Sequence, residues 1–86
     1  MSKDEEIAAW MMKCLAEDRF VYQDVIAPEI EKQFGTEYIY YNANGNVAIS
    51  KNVLRAFEKI SPNVVWNRSE RYWRFRESFD APGRQQ

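Results

Sequence analysis

The sequence contains no histidine. Ser-His and Cys-His nucleophile pairs, imidazole acid–base chemistry and His-ligated metal sites are therefore excluded. A single cysteine, Cys14, rules out an intrachain disulfide and fits a reducing compartment. No run approaches the roughly 18 apolar residues of a transmembrane helix. The acidic start Met-Ser-Lys-Asp-Glu-Glu does not read as a secretory signal peptide. A cytoplasmic chain without a membrane partner is the expectation. With no glycine-rich phosphate loop and no activated nucleophile, no catalytic residue, cofactor or metal is expected, and the chain reads as a non-enzyme.

Aromatic residues, in contrast, are plentiful at 15% of 86 residues, which lets a small chain bury much area with few side chains. A length of 86 suits one core and is too short for two. Residues 1–78 are expected to form a single domain and residues 79–86, with Pro82, Gly83 and two terminal glutamines, a loose tail. The net charge of −1 conceals a division. Residues 1–46 carry four Lys/Arg against nine Asp/Glu, a balance of −5, and residues 47–86 carry eight against four, a balance of +4. Halves of opposite sign suggest two surfaces with different partners, unless they pair with each other or are merely solvated.

The periodicity predicts a helix over 3–18, with Ser2 or Asp4 as its cap and Ile7, Trp10, Met11, Cys14 and Leu15 on the apolar arc. That arc spans about 200°, wider than one core contact needs. Trp10 and Met12 at its flanks are left without an obvious internal partner. They form a candidate dimer interface, through which the first helix would pair with its two-fold mate in a homodimer. Coverage of Trp10 by Phe79 is the alternative. Phe20-Val21-Tyr22 reads as a short extended link. A second helix is expected over 24–34, capped by Asp24, with Val25, Ile26, Ile30 and Phe34 buried and Gly35 as its stop. Glu37 to Tyr41 has β character, and Asn44-Gly45 signals a turn before Val47-Ala48-Ile49. Ser50 is placed to cap a third helix over 51–60, whose core face is Val53, Leu54, Phe57 and Ile60. Val64–Trp66 and Tyr72–Arg76 read as two strands of a closing hairpin, with Trp73 and Phe75 on one face and Tyr72, Arg74 and Arg76 on the other. The fold class is therefore α+β: three helices with a C-terminal β-hairpin, and room for an extra hairpin before the third helix.

This order of elements, over roughly residues 4–77, resembles the winged helix-turn-helix domain, with Val64–Arg76 as the wing. The run Tyr38–Phe57 also resembles small bacterial proteins of unassigned role. About sixteen residues, Gly35 to Ser50, separate the second and third helices, where helix-turn-helix turns have three or four. The winged-helix resemblance implies that third-helix side chains reach base edges and wing arginines reach phosphates. Lys51, Asn52, Arg55 and Lys59 on the helix and Arg68, Arg71, Arg74 and Arg76 on the hairpin are then the candidate nucleic-acid-binding residues. Glu58, Glu70 and Glu77 interrupt this set, and the isoelectric point near 5.4 implies weak binding. A regulatory module with weak nucleic-acid affinity is one expectation. A protein-interaction or dimerisation domain that binds no nucleic acid is the other. The Asn42–Asn46 run has calcium-loop spacing without carboxylates, so its asparagines are expected to bond their own backbone. Asn67-Arg68-Ser69 matches a glycosylation acceptor by chance, and Cys14 is expected to pack rather than react.

Overall fold

The computed structural model describes residues 2–78 and 80. The expected tail therefore lies outside the described residues except for Asp80, as does Phe79. The elements run α1 (Lys3–Asp18), β1 (Phe20–Tyr22), α2 (Gln23–Phe34), a 3-10 turn (Thr36–Tyr38), β2 (Ile39–Tyr41), β3 (Val47–Ile49), α3 (Lys51–Ile60), β4 (Val64–Asn67) and β5 (Tyr72–Phe75). The α+β class holds: three helices, a C-terminal β4–β5 hairpin, and a second hairpin, β2–β3, inserted before α3.

α1 begins at a capping box. The Glu5 N–H donates to Ser2 Oγ at 3.2 Å while Glu5 Oε1 accepts from the Ser2 N–H at 3.0 Å, so two otherwise orphaned donors are satisfied. It ends where Arg19 turns left-handed at φ 71° and returns its N–H to the Leu15 carbonyl. That reversal feeds β1 straight into a three-stranded antiparallel sheet of order β1-β5-β4. Val21 pairs with Trp73, and Trp73 with Trp66, across the three strands. Because side chains alternate between the faces of a strand, Val21, Trp73, Trp66 and Val64 look inward. Phe57 of α3 meets Trp73 edge-on at 5.6 Å between ring centroids, and Trp66 lies 4.5 Å from Trp73. Ile7, Met11 and Leu15 of α1, Ile26 and Ile30 of α2, Ile39 of β2, Ile49 of β3 and Val53 of α3 share this buried core.

Several local expectations need correction. Residues 36–38 form a 3-10 turn, so the strand starts only at Ile39. Tyr22, and not Asp24, occupies the α2 cap position, with no side-chain bond, because β1 runs directly into the helix. From that start the inward positions are Ile26, Ala27 and Ile30, and Val25 falls almost opposite them, 66% exposed. Pro28 sits at the sixth helical position, where its ring removes the N–H that the Asp24 carbonyl would accept. Pro28 is exposed, so water can serve that carbonyl. Gly35 does stop α2, but at φ 110° and ψ 168°, a region open essentially to glycine alone. Ser50 holds the α3 cap position without a side-chain cap bond. Ile60 shares the angular position of Val53 yet is 46% exposed, because it borders the small Ala8 and Ala9 of α1, which leave a groove beside it.

Trp10 and Met12 are not left unpartnered. Both are half-buried and pack on the core, and the Trp10 ring meets Phe34 of α2 edge-on at 5.6 Å. The wide arc of α1 is used internally, with α2 and the sheet on one flank and α3 on the other.

Candidate functional site

The eight basic-set residues divide three ways. On α3, Lys51, Asn52, Arg55 and Lys59 are exposed, and helical spacing puts Lys51, Arg55 and Lys59 in one row. Asn52, Arg55 and Lys59 form one wall of a groove of about 450 Å³, and Ser2, Asp4 and Glu5 of α1 form the other. The Glu5 carboxyl is held below its ordinary range by the Ser2 backbone and hydroxyl, with the Lys59 charge adding to the effect. Arg55 and Lys59 of α3 thus face the acidic first turn of α1.

On the hairpin, Arg71 and Arg74 are engaged. Arg71 takes a left-handed conformation at φ 62° to close the 67–71 turn, and its Nη2 lies 3.3 Å from Asp24 Oδ1. Arg74 grips Asp80 with both nitrogens, at 2.7 and 2.8 Å, while the Glu77 N–H donates to the same carboxylate at 2.7 Å. This fork holds the Asp80 carboxyl down to about 2 and raises the Arg74 guanidinium further above its ordinary value. Arg76 is half-buried, and its N–H donates to the Asn63 carbonyl at 2.6 Å. Arg68 is exposed at the turn. The structure therefore brings Asn52, Arg55 and Lys59 into one groove and commits Arg71 and Arg74 to carboxylates elsewhere.

The sequence reading missed a second surface. Alternation turns Phe20, Tyr22, Tyr72 and Arg74 to the outer face of the three-stranded sheet. Phe20 and Tyr22 are 49% and 46% exposed, and both rings meet Tyr72, at 5.4 and 5.1 Å. The signal was the aromatic–aliphatic–aromatic alternation of 20–22, which shows its meaning only once β1 is paired to β5.

Around the edge of β1 this aromatic face continues into a groove of about 210 Å³ between α1 and α2. Trp10, Cys14, Val21, Val25 and Ile26 supply its apolar lining together with Phe20 and Tyr22, and Asp18 and Glu29 are the charged residues on it. Cys14 faces this groove half-buried. Desolvation, reinforced by the Asp18 and Glu17 carboxylates, pushes its thiol pKa up, which keeps it protonated and unreactive near neutral pH.

The Asn42–Asn46 loop turns on its own side chain. Asn42 Oδ1 accepts the N–H groups of Asn44 and Asn46, both at 3.0 Å, and Gly45 supplies the positive φ of 79°. Among the described residues no group of three or more His, Cys, Asp or Glu is placed to hold a metal ion. No helix there is long and apolar enough to cross a membrane.

An antiparallel sheet with aromatic side chains on both faces, flanked by a groove lined by Asp18 and Glu29, defines a small α+β domain. Residues 3–75 match DUF6953, a family of unknown function, and the chain belongs to that family. No curated protein and no solved structure matches it.

Proposed function

We propose that the chain is a non-enzymatic binding domain of winged-helix type whose partner is a protein. One observation carries the reading: Phe20, Tyr22 and Tyr72 form a continuous aromatic cluster on the outer face of the β1-β5-β4 sheet, and Phe20 and Tyr22 are about half exposed. Aromatic side chains are enriched at protein interfaces, and large exposed apolar patches mark interaction sites. The order α1–β1–α2–β2–β3–α3–β4–β5 supports the winged-helix reading if β4–β5 is the wing and β2–β3 is a hairpin inserted between the second and third helices.

The second reading, weak nucleic-acid binding through α3, is favoured by Lys51, Arg55 and Lys59, which make no ion pair among the described residues. Against it stand the engagement of Arg71 and Arg74 and the acidic α1 terminus facing Arg55 and Lys59. A peptide display library and a random oligonucleotide pool, selected side by side on the full chain at about 50 mM salt, test the two readings. Peptide binders lost on Phe20→Ser/Tyr72→Ser are the expected result. Enrichment of oligonucleotides alone, with binding lost on Arg55→Ser/Lys59→Ser, overturns the protein reading in favour of the second.

A further inference from the structure

We infer that the α1–α2 groove receives an amphipathic, basic-flanked segment of the partner protein, seating apolar side chains between Trp10 and Val25 and pairing its Lys or Arg residues with Asp18 and Glu29. The inference rests on the protein-binding reading and locates the contact within it.

Size is the first argument. About 210 Å³ falls below the roughly 300–1,000 Å³ of pockets that enclose a small-molecule ligand, so the groove suits one or two anchoring side chains of a larger body. Composition is the second. Trp10, Cys14 and Ile26 make an apolar floor, and Val25, at 66% exposure, stands at the rim where a core residue would not. The groove also runs into the aromatic outer face at Phe20 and Tyr22, so one partner can cover both.

Charge decides the kind of partner. Asp18 from α1 and Glu29 from α2 line the groove, and no Lys or Arg does among the described residues. Lys13, the residue before Cys14 on α1, is close enough to act on the thiol but does not line the groove. An acidic rim around an apolar floor raises affinity and encounter rate for a cationic amphipathic segment and rejects an anionic one. Helical anchors at i, i+3 or i+4 fit a trough laid between two helices. Nucleic acid is disfavoured here because its phosphates would meet both carboxylates.

The test uses the full chain and a random-peptide display library, with selected binders titrated into the wild type and two variants. Val25 is exposed on α2 and Glu29 is exposed on the same helix, so Val25→Lys and Glu29→Lys leave the core intact, which a thermal melt verifies. The expected result is enrichment of peptides with paired apolar anchors flanked by Lys or Arg, quenching or shifting Trp10 fluorescence. Val25→Lys should weaken them about tenfold or more, and Glu29→Lys should reverse the preference toward acidic flanks. Binders without charge bias, or binders indifferent to Val25→Lys, overturn the groove assignment while leaving the protein-binding reading standing. Absence of any peptide enrichment beside oligonucleotide binding at α3 overturns both.

Discussion

Trp73 and Tyr72 are adjacent in β5 and point to opposite faces of the same sheet. On the inner face Trp73 is buried against Phe57, Trp66 and Val21. On the outer face Tyr72 joins Phe20 and Tyr22, which water still reaches. Both clusters use edge-on and tilted ring pairs at similar separations, so ring geometry does not tell a structural cluster from a binding one. What separates them is burial. Phe57 and Trp73 have already removed their area from water, and that area stabilises the fold, whereas Phe20 and Tyr22 retain area whose burial is available to a partner.

The difference makes opposite demands on mutation. Phe57→Ala removes a ring that is 1% exposed and should cost about 3–5 kcal/mol, against a total of about 5–15 kcal/mol for a domain. Chemical denaturation measures it directly. A Phe57→Ala protein with near-wild-type stability would mean that the inner cluster is not the keystone of the core, and the contrast between faces would collapse.

The turn of the β2–β3 hairpin offers another scale, since it carries no ring of either cluster, while its strands bury Ile39 and Ile49 in the core. Asn42→Ala deletes the acceptor of two backbone N–H groups and should lower stability by about 1–2 kcal/mol. The indole signals of Trp66 and Trp73 in near-ultraviolet circular dichroism should stay unchanged. A loss near that of Phe57→Ala would show that the turn is needed to hold Ile39 and Ile49 in the core.

The outer face should respond least in stability. Phe20→Ser gives up an edge contact with Tyr72 and half of an already exposed ring, for about 1 kcal/mol or less. Its effect should instead fall on binding. A denaturation midpoint displaced as far as that of Phe57→Ala would make the outer rings structural and remove the observation that carries the proposed function.

What was legible in the sequence follows from the range of the forces involved. The helices over 3–18 and 51–60 are set by local periodicity, and the turn of the β2–β3 hairpin by Gly45, which alone there takes positive φ, with Asn42 bonding the loop's backbone; all three form where expected. Of the expected core residues, Met11, Leu15, Ile30, Phe57 and Trp73 are buried, and Leu54 and Trp66 pack against them only partly buried. Val25 was misplaced because α2 starts without a side-chain cap, so its rotation is fixed by the strand that leads into it. The groove and the outer face depend on pairing Val21 with Trp73, some fifty residues apart, which no local pattern encodes. The basic set failed as one face for a related reason. Asp24 reaches Arg71 from a distant part of the chain and Asp80 reaches Arg74 from six residues on, and a charge count cannot see which charges are already paired.

The smallest expected effect concerns Arg74, the one charged member of the paired outer face. Its fork on Asp80 lowers the Asp80 pKa from an ordinary 3.8 to about 2. A carboxyl whose folded pKa is depressed contributes stability that is fully present above its unfolded value and is lost as pH falls through the folded one. The bridge should therefore be intact above about pH 4 and should weaken between there and about pH 2. Nuclear magnetic resonance titration of the Asp80 side-chain carboxyl should give a midpoint of about 2, moving up toward 3.8 in Arg74→Gln. The same variant frees no aromatic ring, so Phe20 and Tyr72 should keep their contact. A wild-type midpoint at the ordinary value would mean that Arg74 is not held by Asp80 in solution.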